Sequence, residues 1–171
     1  MKKALIVYYK ENEKAKHSNE EKTASELEKL FIEKGFYVKR ELIEPSKKFG
    51  LKEQFRTEKE MKLKSKPPSI EGFDFVVIGT PIVGSFTSSP IINAFIRSIP
   101  KKKAPKKTAF VLFATGIIPG FALKKMQSLL SMNGIKTLDA EAFTSIFEFD
   151  DKKLADVRKF FFRVMEKYAQ Q

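Results

Sequence analysis

Two hydrophobic rhythms run along this chain: short unbroken apolar runs, and stripes that recur every three to four residues. Residues 4–9 (Ala-Leu-Ile-Val-Tyr-Tyr) are the first run, too short for a buried helix and β-branched at its centre, which predicts a strand covered on both faces. Ser18 with Glu21 has capping-box spacing and opens a helix whose stripe is Thr23, Ala24, Leu27, Leu30 and Phe31, ended by Gly35. Residues 36–43 alternate only partly, as an edge strand does. Residues 75–79 form a third strand, followed by a loop of small and hydroxylated residues from Thr80 to Ser89. Pro90 then starts a helix carrying Ile91, Ile92, Phe95 and Ile96 on one face. A fourth strand spans 108–114, a loop 115–120, and a helix about 121–132 with Ala122, Leu123, Met126, Leu129 and Leu130 inward. The fifth strand covers 135–144. Asp150 or Asp151 caps a last helix striped by Leu154, Val157, Phe161, Val164, Met165 and Tyr168. Residues 44–69 are charge-rich, with one short helix expected over roughly 51–62 before Pro67-Pro68.

Strands that alternate with helices pair in parallel, and right-handed crossovers restrict the topology. The expectation is one α/β domain over residues 1–171: a three-layer, doubly wound, five-stranded parallel sheet in the order 2-1-3-4-5. Ligands bind such sheets beyond the carboxyl ends of the strands. The loops at 10–20, 80–89 and 115–121 would then meet along one edge, making that edge the first place to look for function.

Composition narrows the chemistry. There is no cysteine and one histidine among 171 residues, which excludes disulfides, thiolate metal sites, cysteine nucleophiles and a multi-histidine metal site. No apolar stretch approaches membrane-spanning length, and the first is too short for a signal peptide's core, so a cytoplasmic protein is expected. The net charge is +12, with one lysine cluster at Lys101, Lys102, Lys103, Lys106 and Lys107. The aromatic, glycine-interleaved strands of RNA-binding sheets are absent, so the basic surface reads as solvated rather than as a nucleic-acid site. The cluster precedes the fourth strand and therefore lies at the far end of the sheet from the three loops. Phe162 falls off the last helix's stripe, which marks either a homodimer contact or a partly covered surface residue.

Asp74-Phe75-Val76-Val77-Ile78-Gly79-Thr80-Pro81 resembles the "D-x-hydrophobic-G-T/S-P" strand and loop of the flavodoxin family. Ser89-Pro90 leading to Phe95 is similar to the family's following helix, and residues 3–9 to its first strand. The resemblance covers nearly the whole chain. It implies a flavodoxin-like fold that carries FMN on the three loops and transfers electrons or reduces small acceptors, with a redox partner protein, acidic in character, docked on the basic surface. It implies cofactor contacts at Tyr9, Lys16, His17, Ser18 and Asn19, at Thr80, Pro81, Ile82, Val83, Gly84 and Phe86, and at Thr115, Gly116, Ile117, Gly120 and Phe121.

The phosphate loop departs from the family pattern. The usual S/T-x-T-G-x-T falls here on Ala15-Lys16-His17-Ser18-Asn19-Glu20, so three hydroxyl positions are lost, and about five residues precede it as an insertion. Ser18 either caps the helix, donates to a phosphate, or does both; Lys16 and a protonated His17 could add charge. Phe86 and Phe121, with Ile117 and Ile118, either touch the flavin ring or pack the loops. Gly84, Gly116 and Gly120 would let backbone N–H groups approach the ring edge. The competing expectation is a flavodoxin-fold module that has lost FMN and binds another anion or a protein.

Overall fold

The computed structural model describes residues 1–10, 18–47, 61–84, 86–100, 107–118 and 120–171. Its elements are β1 (Lys3–Tyr8), α1 (Asn19–Glu33), β2 (Tyr37–Leu42), β3 (Phe75–Val83), β4 (Thr87–Ser88), α2 (Pro90–Ser98), β5 (Ala109–Gly116), α3 (Ala122–Met132), β6 (Thr137–Thr144) and α4 (Asp151–Ala169). The main sheet runs β2-β1-β3-β5-β6, every neighbouring pair parallel, which is the doubly wound order expected. Helices α1 and α4 cover one face and α2 and α3 the other.

The helix starts follow the capping chemistry. Ser18 Oγ accepts from the Glu21 N–H at 3.2 Å, and Ser89 Oγ from the Ile91 N–H at 3.3 Å ahead of Pro90. At α4 the cap is Asp150, whose Oδ1 accepts from the Lys153 N–H at 2.9 Å.

The two layers bury different side chains. Beneath α1 and α4 lie Phe31, Phe36, Phe75, Phe113, Phe143, Phe149, Phe160 and Phe161. Ring pairs such as Phe31–Phe161, 4.9 Å apart and edge-on, and Phe31–Phe75 at 5.2 Å lock this layer. The α2–α3 layer is mostly aliphatic, built from Leu5, Val7, Ile78, Ile92, Ile96 and Leu130 among others.

Two expectations need amendment, and a third falls almost wholly outside the described residues. The segment from Thr80 to Val83 is not loop: β3 continues to Val83 and turns back through β4 in a short antiparallel hairpin. Proline is tolerated inside this strand for a simple reason. The Gly79 carbonyl faces β1, accepting from the Tyr9 N–H at 3.3 Å, so the Pro81 nitrogen two residues on faces the same side, beyond the end of β1. The sheet therefore has a sixth, short strand off its main path. The helix expected over 51–62 lies outside the described residues except for Met61 and Lys62, which are not helical. The described ends of that connection are joined by an antiparallel bridge between Pro45 and Leu63.

The edge strand β6 is tied to α4 by charge. Asp139 accepts from Arg163 Nε at 2.7 Å and pairs with Lys167 Nζ at 3.0 Å, while Arg163 also reaches Glu141 at 2.7 Å. Burial alone would raise the Asp139 carboxyl, but the hydrogen bonds from Arg163, Lys167 and the Ala140 N–H outweigh it and hold the group below its ordinary value. A carboxyl depressed in the folded state contributes stability that is present above its unfolded value, about 3.9, and lost as pH falls through the folded one. Asp139→Asn is expected to cost about 1–2 kcal/mol at pH 7 in urea melts and much less at pH 2–3. An equal cost at both pH values would remove this pairing as the cause.

Candidate functional site

Because the main strands are parallel, the carboxyl ends of β1, β3, β5 and β6 reach one edge of the sheet, and the loops beyond them are bonded to one another. The Phe121 N–H donates to the Phe86 carbonyl at 2.6 Å, joining the loop after β5 to the β3–β4 hairpin. The Ser145 N–H donates to the Gly116 carbonyl at 2.9 Å, joining the loops after β6 and β5. Asn19 closes the series at the start of α1. Its amide nitrogen donates to the Phe147 carbonyl at 3.2 Å, and its amide oxygen accepts from the Phe149 N–H at 2.8 Å.

This bonded rim carries bare apolar surface. Phe86, Ile117, Ile118, Phe121, Ile146 and Phe147 are each at least 51% exposed, Phe147 at 79%. A set of large apolar side chains on loops that are already hydrogen-bonded in place is the mark of a surface built to be covered by something else. Phe86 holds a left-handed backbone (φ 57°), uncommon for a bulky residue, fixed by its own N–H on the Val83 carbonyl at 2.7 Å and by the bond from Phe121. Lys124 stands over the Phe121 ring, 5.8 Å from its centroid.

The expected site residues divide into two groups. Phe86, Ile117 and Phe121, with Ile118, come together on the rim with their side chains outward. Most of the others named in the described residues are buried or engaged within the chain. Tyr9 is buried against the α2–α3 layer, and Val83 is buried too. The Thr80 hydroxyl accepts from the Ser89 N–H at 2.9 Å and donates to the Pro81 carbonyl at 3.0 Å. Pro81 is buried in β3 opposite Thr115, and Ile82 is half-buried. Gly116 and Gly120 serve close packing: a Cβ on Gly116 would lie 2.8 Å from the Ile82 Cβ, and one on Gly120 2.7 Å from the Phe86 carbonyl carbon. Gly84 is exposed at the hairpin turn. Lys16 and His17 lie outside the described residues.

Ile146 and Phe147 were not among the expected site residues. Their signal was present as two apolar residues placed after a strand and before the Asp150 cap, off any helical stripe.

The first turn of α1 is occupied by the chain's own groups. Ser18 caps the helix and Asn19 holds the loop after β6. Glu20 is buried and accepts a short hydrogen bond from the Thr115 hydroxyl at the end of β5. Glu21 pairs with Lys10 at 2.9 Å, and the Tyr8 hydroxyl lies 3.5 Å from its Oε1. Burial and the charge of Glu21 push the Tyr8 phenol above its ordinary value, so it remains a donor at neutral pH. Among the described residues no buried side-chain nitrogen or oxygen lacks a hydrogen-bond partner, and no acidic or histidine cluster could hold a metal ion. No described helix is long and apolar enough to cross a membrane.

No protein-family model matches the chain, and no curated protein does. Solved structures match it over nearly its whole length. A flavodoxin from the domain Archaea superposes with a TM-score of 0.62 at 12% identity, covering 97% of this chain and 99% of that one. The two-electron reduced flavodoxin of Megasphaera elsdenii gives 0.57 at 16% identity, covering 90% and 96%. The rubredoxin oxygen:oxidoreductase of Desulfovibrio gigas gives 0.65 at 15% identity, covering 99% of this chain and 37% of that one. The chain has a flavodoxin-like α/β fold.

Proposed function

We propose that the rim formed by Phe86, Ile117, Ile118 and Phe121 receives the flat tricyclic ring of a flavin, and that the chain is a redox protein of the electron-carrier or small-reductase kind. The observation that carries this reading is the pairing of exposed apolar side chains from the loops after β3 and β5, clasped by the Phe121–Phe86 hydrogen bond. A planar aromatic ligand needs apolar walls that do not collapse onto each other when it is absent, and a backbone clasp supplies that. The flavin-bearing names among the structural neighbours agree with it.

A bound flavin would supply the redox chemistry, taking up and giving out electrons. The chain's own part is to shield the ring and to orient it. Phe86 and Phe121 exclude water, and Lys124 beside Phe121 adds positive charge at the rim. The net charge of +12 suits an acidic redox partner, drawn in by complementary charge. FMN is the flavin that the family resemblance implies. Its ring would lie against Phe86, Ile117, Ile118 and Phe121. At the α1 start Ser18 Oγ accepts from the Glu21 N–H and keeps its hydroxyl proton to donate, while Asn19 holds the loop after β6; no step is assigned to the phosphate.

The test is direct. Purified protein titrated with flavin should quench its fluorescence and shift its visible bands. Phe121→Ala should weaken uptake about tenfold, since an aromatic pair contributes roughly 0.5–1.5 kcal/mol beyond its buried area. Protein that takes up no flavin would favour the alternative, a flavodoxin-fold module that binds a different partner on the same rim.

A further inference from the structure

We infer that Phe147, on the loop after β6, is a third wall of the flavin site and lies against the ring together with Phe86 and Phe121. This rests on the flavin reading above and adds to it a contact from the loop after the last strand of the sheet.

Ile146 and Phe147 are the exposed rim side chains that the loops after β3 and β5 do not supply, at 75% and 79% exposure. Their exposure is not that of a loose segment. The Phe147 N–H donates to Ser145 Oγ at 3.1 Å, and the Phe147 carbonyl accepts from Asn19 Nδ2 at 3.2 Å. Two residues on, the Phe149 N–H donates to Asn19 Oδ1 at 2.8 Å and the Phe149 carbonyl accepts from Lys22 Nζ at 3.0 Å, while the Phe149 side chain is buried in the α1–α4 layer. On the other side, the Ser145 N–H on the Gly116 carbonyl carries the β5–β6 pairing one step past Gly116 and Thr144. The pair Ile146 and Phe147 therefore follows the strand end next to the one that carries Ile117 and Ile118. A backbone pinned on both sides keeps Phe147 from folding onto its neighbours when no ligand is present. The span also suits the ligand. Strands β3, β5 and β6 are consecutive neighbours in the sheet, and at about 4.8 Å between neighbours the outer two ends lie roughly 10 Å apart. A plate of three fused six-membered rings with its methyl groups matches that span. A ring seated against Phe86 and Phe121 thus extends to the loop after β6.

The experiment is a fluorescence titration of the full chain with FMN and, in parallel, with riboflavin, which carries the same ring without the phosphate. Phe147→Ala is expected to weaken both ligands about five- to tenfold, the scale of one aromatic contact. Phe147→Trp is expected to hold both within about twofold of the unaltered chain, because it keeps an aromatic face at the position. The side chain is exposed, so the melting temperature of ligand-free Phe147→Ala should stay within about 2 °C of the unaltered chain. If Phe147→Ala leaves both ligands unchanged while Phe121→Ala weakens them, this inference is overturned and the flavin reading stands. A loss confined to FMN overturns it too, since Phe147 would then act at the phosphate and not at the ring. A loss that Phe147→Trp shares to the same degree would assign the effect to the shape of the loop and overturns it as well. Uptake of neither flavin by the unaltered chain overturns both.

Discussion

Gly79→Ala is expected to destabilise the protein by about 3 kcal/mol, lowering the melting temperature by roughly 6–12 °C. Gly79 lies in β3 directly opposite Phe113 of β5, and the Phe113 ring, wholly buried, lies over the space where a side chain would be. A Cβ at residue 79 would overlap the Phe113 Cζ and Cε1 and come within 2.5 Å of Cε2. The ring is wholly buried in the layer that also holds Phe31, Phe75, Phe143 and Phe161, so it cannot swing out to solvent to make room. The cost therefore falls on steric crowding in a dense core and not on backbone conformation. A thermodynamic cycle checks the cause: in a Phe113→Leu background, Gly79→Ala should cost clearly less than it does alone. Strictly additive losses would assign the role of Gly79 to something other than this ring.

Gly120→Ala should separate stability from function. A Cβ there would overlap the Phe86 carbonyl oxygen and stand 2.7 Å from its carbon and 2.9 Å from the Phe86 Cβ. The obstacle is largely backbone, which cannot rotate aside as a side-chain tip can. The bond from the Phe121 N–H to that same carbonyl should break, and the two loops should part. Flavin uptake is expected to fall more than tenfold, while stability falls by only about 1 kcal/mol, the net worth of one hydrogen bond outside the core. Faster hydrogen exchange at the Phe121 amide reads the broken clasp without any ligand. Unchanged exchange together with unchanged uptake would show that the loops are held by other contacts.

The two glycines illustrate why the fold was legible in the sequence and the site only in part. The run 75–79 announced a buried strand, and Ser18, Pro90 and Asp150 announced helix starts, because each depends on residues a few positions apart in the chain. The continuation of β3 through Pro81 to Val83 was hidden, because it depends on where β1 stops. Phe86 and Phe121 were recognisable as ring candidates from their loops. Ser18 could be read from its capping-box spacing as a helix cap, with or without a phosphate role, and the structure shows the cap; that Asn19 holds a loop more than a hundred residues away in sequence was not legible.

By itself the sequence determined the order of the main-sheet strands and of α1 to α4, the parallel doubly wound sheet and the edge at which the loops gather, since hydrophobic period, caps and crossover handedness are local properties. Tertiary structure alone decided which polar groups remained open to a ligand. Hydroxyl, amide and carboxylate groups are satisfied by whatever lies within about 3 Å, and for Glu20 that neighbour is Thr115, ninety-five positions further along the chain.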